Sequence, residues 1–388
     1  MTTTSLWGDA GHAAASVART GARIDVVTDR TVLALEPVDR FVADLAQHAD
    51  VRVFTDVEGS VEHITGRSVD FTGSALVAIG GGSVIDAAKI ARYVRAAGTS
   101  RLRTAQRCGL RALPEAAPPQ RLVALPTTVG TGAEASSGAV VRVAGRPTLV
   151  RGIAMVPDEA WYCRSFLEEL PTSQQLRGAV EVLFRLLAPA LEAHGEERLP
   201  DLLPLAVDVL AAGEQLRSRT DVPDALATIL SVGARTHGAR AHRGLHPFGS
   251  RVWYVTNEAT SALGVPKMEV LPALWLGVLH LARTGGLDWV PPTRSDAVRA
   301  GLGLDPGADL ADVLADTFRR WGVPTRLDLG ATTADELADT CLWRWGHGLP
   351  MLRRATREDV ASLLATASAA PWSPLSRGDS ASRAQGRR

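Results

Sequence analysis

The chain has 388 residues, of which 46% are hydrophobic, so it is long enough to form two domains with separate cores. Basic and acidic residues both number 42, and the net charge of zero argues against a nucleic-acid or membrane-surface partner held by bulk electrostatics. The three cysteines are widely spaced, which gives no sign of a disulfide framework and favours a cytoplasmic setting.

The first predicted strand covers residues 23–29 and is followed by a helix over 37–47 and a strand over 51–54. Asp29 stands at the end of the first strand. In a doubly wound nucleotide-binding fold, an acidic residue at this place can bind an adenosine ribose and repel a 2′-phosphate. Asp29 is equally suited to cap a helix or to form a turn.

The chain is organised around residues 75–91. An uninterrupted apolar run predicts a strand buried on both faces of a parallel sheet, and the residues after Ser83 favour a helix. The three glycines between them let the backbone approach a ligand closely, and the unpaired N–H groups of a helix start attract an anion. The pattern suits a nucleotide phosphate, although such turns also serve packing alone.

A second stretch of this kind runs from Leu122 to Glu134. It follows a short apolar strand and carries threonine hydroxyls and two glycines where a loop can hold phosphate and ribose. Residues 101–120 show no periodicity and predict a surface loop. Residues 139–143 and 149–155 predict a hairpin.

From Leu170 onward, only helical periodicity is found. Helices are predicted over residues 172–193, 201–217, 224–245, 268–283, 308–321, 334–343 and 357–368. The chain is therefore predicted to combine an α/β, Rossmann-like nucleotide-binding domain (residues 1–165) with an all-helical domain (166–369). Residues 370–388 lack an apolar pattern and predict a disordered tail.

Together, residues 80–89 and 126–134 resemble the paired signatures GGGSxxDxAK and PTTxGTGxE of the iron-containing alcohol dehydrogenase and dehydroquinate synthase superfamily. The resemblance extends to residues 322–324 and 356–359 and covers most of the chain. It implies an oxidoreductase that transfers hydride to NAD, with NADP less suited to Asp29. The cofactor-binding residues that it implies are Asp29, Gly80, Gly81, Gly82, Ser83, Asp86, Lys89, Thr127, Thr128 and Thr131.

Enzymes of this family hold iron or zinc with an Asp, a His four residues later, a His before an HPxG turn, and a further His. These positions fall here on Glu181, Arg185, His242 and Lys267, and His246 begins the HPxG turn. A catalytic metal site needs about three protein ligands, and arginine stays protonated. Only Glu181 and His242 remain as candidate ligands, which argues against a bound metal.

The helix around Glu181 is apolar on nearly all sides, which predicts a buried pair with Arg185 one turn away. On this interpretation, Arg185 and Lys267 stabilise the negative charge that develops on the oxygen of a secondary alcohol. Lys267 is also a candidate general base, and His246 is expected to relay the proton to solvent. Structural roles for the histidines stay open.

The general character of the chain also resembles superfamily members of daptide-type ribosomal-peptide pathways, in which a C-terminal Thr would be oxidised and decarboxylated.

Three alternative functions stay open. The first is a metal-dependent alcohol or polyol dehydrogenase. The second is a carbocycle lyase like dehydroquinate synthase, because residues 178–183 resemble its GxAEVI segment. The third is an inactive scaffold for a biosynthetic partner. The family also implies a homodimer, and no nucleic-acid or membrane partner is expected.

Overall fold

The computed structural model describes residues 3–68, 70–104, 106–118, 120–192, 199–238, 245–246 and 248–372. The chain divides into two compact units. Unit 1 comprises Met1–Arg185 and Asp208–Arg243, and unit 2 comprises Leu186–Val207 and Gly244–Arg388. This division assigns more of the chain to the α/β unit than the boundary at residue 165 does, because unit 1 also includes residues 166–185 and 208–243.

The strands of unit 1 form a large parallel sheet and a small mixed one. The strands are β1 (Thr4–Gly8), β2 (Arg23–Val27), β3 (Asp50–Phe54), β4 (Ala75–Gly80), β5 (Leu110–Ala112), β6 (Arg121–Pro126), β7 (Gly138–Val143), β8 (Arg146–Arg151) and β9 (Glu159–Cys163). The large sheet has the order β1-β9-β6-β4-β2-β3, and the small sheet has the order β5-β8-β7. Gly80 of β4 lies opposite Pro126 of β6, so the two glycine-containing motifs begin side by side at one edge of the sheet.

The helices described in unit 1 include those that pack on both faces of the large sheet. They are α1 (Ala10–Ala18), α2 (Arg30–Leu33), α3 (Glu36–Ala46), α4 (Val61–Ser68), α5 (Gly82–Ala97), α6 (Ser100–Arg103), α7 (Arg164–Glu168), α8 (Thr172–Leu191), α9 (Leu199–Ser218) and α10 (Val222–Arg235), of which α8 and α9 are shared with unit 2. Alternate residues of β4 enter two different cores. Val77 and Ile79 pack with Phe41 and Phe166 on one face, whereas Leu76 and Ala78 pack with residues of α5 on the other. This two-sided burial explains the continuous apolar run of β4.

The described part of unit 2 after residue 244 is helical. Its helices are α11 (Arg251–Leu263), α12 (Lys267–Thr284), α13 (Pro292–Gly301), α14 (Leu310–Arg320), α15 (Ala334–Trp345) and α16 (Arg357–Ala369). Helix α12 is buried along most of its length. Thr333 and Thr356 begin α15 and α16 with capping boxes, which satisfy the first N–H groups of each helix.

The predicted fold class is confirmed, with several differences in detail. Strand β1 and helix α1 occupy the N-terminal region, where no element was predicted. Strand β1 is short and none of its residues is fully buried, so it lacks the apolar pattern of a buried strand. Segment 101–120 is not only loop, since it contains β5. The helix predicted over 224–245 ends at Arg235, and α11 and α13 were not predicted.

Three further observations concern the C-terminal end of the fold, the cysteines and the length of the apolar helices. Trp372 is 4% exposed, so ordered packing continues past residue 370, while residues 373–388 lie outside the described ranges. The three cysteines are free thiols. Among the described residues, no helix combines the length and the apolar character that a membrane crossing requires.

Candidate active site

The glycine turn between β4 and α5 packs against the loop that follows β6. Gly81 is the N-cap of α5, and no side chain caps this helix. A Cβ atom on Gly81 would lie 3.3 Å from Thr128 Cγ2, and one on Gly82 would lie 3.2 Å from Thr131 Cβ. The two motifs therefore pack closely against each other, and the absence of side chains at Gly81 and Gly82 allows this packing.

The loop after β6 is held against α8 by backbone contact. Gly130 and Gly132 have φ of +97° and +63°, which favour glycine. A Cβ atom on Gly130 would lie 2.4 Å from Cα of Gly178, and one on Gly132 would lie 2.3 Å from the ring of His237. The path of this loop thus depends on glycines both in the loop and in the helix beneath it.

The hydroxyl of Thr128 is buried beside the glycine turn. Its Oγ1 makes no hydrogen bond to any residue of the described ranges, although most buried hydroxyls are paired. The backbone N–H of Thr127 donates to the carbonyl of Gly80 at 3.1 Å, which fixes the start of the loop. The Thr128 hydroxyl is therefore available to a phosphate or ribose oxygen.

Replacing Thr128 with valine is expected to weaken NAD binding about fivefold to tenfold without lowering the free energy of unfolding. The substitution keeps the shape of the side chain, and the hydroxyl that it removes has no partner among the described residues. A lost hydrogen bond to a ligand corresponds to roughly 1 kcal/mol. Calorimetric titration with NAD and urea denaturation measure the two quantities.

The matched control is Thr317→Val in α14. Thr317 is buried, and its hydroxyl donates to the carbonyl of Val313 at 2.9 Å. This variant is expected to be less stable, by about 1 kcal/mol, with unchanged NAD affinity. Unchanged NAD affinity in Thr128→Val would remove Thr128 from the cofactor site.

Asp86 and Lys89 have partners inside the protein. Lys89 is fully buried, and its Nζ donates to the carbonyls of Ser136 and Gly138 at 3.1 and 3.0 Å. Asp86 lies 3.5 Å from Lys89 Nζ and accepts a hydrogen bond from the N–H of Val140. These side chains join α5 to the start of β7, so a cofactor role for them remains a prediction. Ser83, in the first turn of α5, is exposed.

Asp29 caps a helix, one of the two roles expected for it. Its Oδ1 accepts a hydrogen bond of 2.8 Å from the N–H of Val32 in α2. A carboxylate has two oxygens and about four acceptor positions, so capping by one oxygen is compatible with binding a ribose hydroxyl through the other. The ribose role of Asp29 remains a prediction.

Glu181 and Arg185 form the buried pair that was predicted one turn apart on α8. Arg185 Nη1 donates to Glu181 Oε1 at 3.1 Å and to the carbonyl of Thr131 at 3.4 Å, and its Nε donates to Thr236 Oγ1 at 2.9 Å. Its Nη2 is buried and makes no hydrogen bond within the described part of the chain. Burial lowers the pKa of Arg185, and the charges of Glu181 and Glu134 oppose this shift. A cation is thus held at the loop that carries Thr131.

Glu134 and Tyr162 also belong to this site, although neither was among the predicted site residues. The Tyr162 hydroxyl donates to Glu134 Oε1 at 3.2 Å, while Glu134 Oε2 is buried and has no hydrogen bond among the described residues. Burial raises the pKa of Glu134, and the residue's own backbone N–H, Lys89, Tyr162 and Arg185 oppose this shift. Burial and the charge of Glu134 also raise the pKa of Tyr162. Glu134 ends the PTTxGTGxE motif, which was the only sequence signal for it.

The described residues do not fit a three-ligand metal site. The carboxylate of Glu181 is bound by the guanidinium at the position where the family has its first histidine. No group of three or more His, Cys, Asp or Glu residues that could hold a metal ion occurs in the described part of the chain. His242, the other candidate ligand, lies outside the described residues.

The remaining predicted residues, His246 and Lys267, belong to unit 2. His246 is half-buried, and its Nδ1 accepts a hydrogen bond of 3.3 Å from the N–H of Phe248. Lys267 is the first residue of α12, and its Nζ lies 4.5 Å from the centre of the Trp253 ring. Their catalytic roles remain predictions.

Comparison with known proteins shows similarity to one family over the first part of the chain. Residues 4–160 match the family model described as iron-containing alcohol dehydrogenase. The similarity of the chain to dehydrogenases indicates that it is an oxidoreductase of the dehydrogenase type.

Similarity to individual dehydrogenases extends over most of the chain. A 4-hydroxybutyrate dehydrogenase from Cupriavidus necator is 28% identical over 332 residues, covering 80% of this chain and 82% of that protein. The structure of an NADH-dependent butanol dehydrogenase from Thermotoga maritima is 15% identical with a TM-score of 0.74, covering 94% of this chain and 97% of the other. A putative alcohol dehydrogenase from Ralstonia eutropha JMP134 is 19% identical with a TM-score of 0.73, covering 96% and 98% of the two chains. The fold of this chain is therefore that of the solved alcohol dehydrogenase structures.

Proposed function

We propose that this chain catalyses NAD-dependent oxidation of a secondary alcohol, or the reverse reduction, with Arg185 in place of the family's metal ion. The observation that carries the proposal is the buried guanidinium of Arg185, which is bound to Glu181 at 3.1 Å on α8. A charged guanidinium already occupies the Glu181 carboxylate that the family would offer to a metal. The positive charge required at the site is supplied by a side chain.

The glycine turn and the loop after β6 support NAD as the cofactor. Helix α5 starts at the glycine turn without a side-chain cap, and the N–H groups of a helix start favour a phosphate. Asp29 would accept hydrogen bonds from the ribose and repel a 2′-phosphate, which favours NAD over NADP. When bound, NAD⁺ would accept the hydride in the oxidation, and NADH would donate it in the reverse reduction.

Arg185 would act on the oxygen of the reacting carbon. This oxygen gains negative charge as the hydride leaves the carbon, and a fixed cation in a site with little water stabilises that charge strongly. Arg185 is nearly buried and held by Glu181, Thr131 and Thr236, so its orientation is set before the substrate binds. Such preorganisation contributes roughly 3–4 kcal/mol in comparable sites.

We propose further roles for two residues of unit 2. Lys267 would supply a second positive charge, and its Nζ lies 4.5 Å from the centre of the Trp253 ring. His246 would relay the proton to solvent, as a half-buried imidazole can at neutral pH.

The substrate that suits these cations carries a carboxylate. Arginine and lysine recognise carboxylates through charge-assisted hydrogen bonds. The relative from Cupriavidus necator is described as a dehydrogenase of 4-hydroxybutyrate, which has such a group. A small hydroxy acid and a peptide with a C-terminal threonine, as in the daptide-type reaction, both belong to this class.

The test is turnover by the purified protein with NAD and NADP in the presence and absence of a chelator, and after addition of iron or zinc. The panel contains simple secondary alcohols, hydroxy acids and a peptide that ends in threonine, with mass spectrometry for decarboxylated product. We expect activity with NAD that chelation does not reduce. Activity that needs added metal would refute the role of Arg185. NAD binding without turnover of any alcohol would favour a scaffold, and elimination without net NAD reduction would favour a lyase.

A further inference from the structure

Acidic groups outnumber basic groups in the buried cluster beside the loop after β6. Lys89 is paired with Asp86 at 3.5 Å, and Arg185 is paired with Glu181 at 3.1 Å. Glu134 is the third carboxyl group, and its only side-chain hydrogen bond among the described residues comes from Tyr162. With both cations already paired, an ionised Glu134 would give this cluster a net negative charge.

The surroundings of Glu134 favour its neutral form in the protein alone. The residue is 2% exposed, and Oε2 has neither solvent nor a hydrogen-bond donor within the described ranges. A buried carboxylate with an unpaired oxygen is costly, so burial favours the protonated acid. The nearby charged groups are Lys89 on α5 and Arg185 on α8, while Tyr162 on β9 stays neutral because its pKa is raised.

Glu134 also lies where a ligand's charge would act on it. It ends the loop whose Thr128 and Thr131 pack against Gly81 and Gly82. The carbonyl of Thr131 binds Arg185, so the loop, the cation and the glycine turn are joined in unit 1. A positive charge placed at this loop would favour the ionised form of Glu134.

We infer that Glu134 distinguishes the oxidised from the reduced cofactor by releasing a proton. The nicotinamide ring of NAD⁺ is positively charged, whereas that of NADH is neutral. When NAD⁺ binds, the Glu134 carboxyl group gives its proton to the buffer, and the carboxylate balances the charge of the ring. When NADH binds, Glu134 keeps its proton. This inference rests on the proposed function, because it requires that the cofactor occupies this loop.

Isothermal titration of the full chain at pH 7, in two buffers with different ionisation enthalpies, measures the protons released. We expect NAD⁺ to release a measurable fraction of a proton per chain and NADH to release none, since one carboxyl group changes charge. Glu134→Gln is expected to abolish the release and to weaken NAD⁺ binding about tenfold relative to NADH, because a neutral amide cannot balance the charge of the ring. NAD⁺ affinity of the native chain should also rise with pH until Glu134 ionises in the free protein.

Glu159→Gln is the matched control. Glu159 is a mostly buried carboxylate on β9 that pairs with Arg121, and its substitution should leave both the proton release and the affinity ratio unchanged. Equal release with NAD⁺ and NADH, or undiminished release in Glu134→Gln, would overturn the inference while leaving the proposed function intact. If neither dinucleotide binds, the proposed function itself fails. The titration of the native chain decides the question even if the Gln variant does not fold.

Discussion

Replacing Arg185 with methionine is expected to lower kcat/KM for alcohol oxidation by about a hundredfold to a thousandfold, while NAD still binds. The guanidinium would be the fixed charge that stabilises the developing oxyanion, and removing one such group typically costs about that factor. The measurement is steady-state kinetics together with NAD titration. Arg185→Lys should recover part of the loss, because it keeps the charge without the planar fork that reaches Glu181, Thr131 and Thr236.

The single variant also leaves Glu181 buried without its guanidinium partner, which destabilises a protein by roughly 3–5 kcal/mol. The double variant Glu181→Gln/Arg185→Met removes both charges and should recover much of this stability without recovering activity. Arg217→Met, which removes an exposed ion pair with Glu214, should change neither the stability nor the activity. Full activity in a folded double variant would show that Arg185 supports only the fold.

Replacing Gly178 with alanine is expected to destabilise the protein by about 3 kcal/mol and to weaken NAD binding at least tenfold. The added Cβ would lie 2.5 Å from the carbonyl oxygen of Val129, so either α8 or the loop after β6 must shift. Overpacking of this kind costs about 1–3 kcal/mol, and a backbone obstacle lies at the upper end. The shift would move Thr128 and Thr131, which face the glycine turn. Urea denaturation and NAD titration measure the two effects.

Gly11→Ala in α1 is the matched control, because it makes the same change within a helix where a Cβ has ordinary space. It should stabilise the protein by about 0.5–1 kcal/mol, since alanine loses less backbone freedom than glycine in a helix. NAD affinity should not change. Native affinity and stability in Gly178→Ala would show that the loop has a second position compatible with cofactor binding.

The parts of the fold that follow from local pattern could be predicted from the sequence. Strand β4 is apolar throughout because both of its faces are buried, and the glycine turn after it is unmistakable. Strand β1 could not be predicted, since it is held by pairing with β9, which lies more than 150 residues later in the chain. Likewise, α11 follows an irregular segment, and nothing in its local pattern separated it from the turn before it.

The contacts of the candidate site could likewise be predicted from the sequence only in part. The pairing of Glu181 with Arg185 follows from helical spacing on an apolar helix, so the sequence is sufficient to predict it. The contacts of Arg185 with Thr131 and Thr236 and of Glu134 with Tyr162 join residues that are far apart in the chain. Such contacts depend on the packing of several elements. For the same reason, the burial of Lys89 against the carbonyls of β7 could not be read from its place in the motif.

The near absence of lysine gives this chain an experimental advantage. It has two lysines, of which Lys89 is 0% exposed and Lys267 is half-buried at the start of α12. Within the described residues, an amine-reactive fluorophore therefore has a single accessible side-chain target, beside the indole of Trp253. Labelling would remove the positive charge of Lys267, so a comparison of turnover before and after labelling would test the role proposed for this residue without any engineered attachment point.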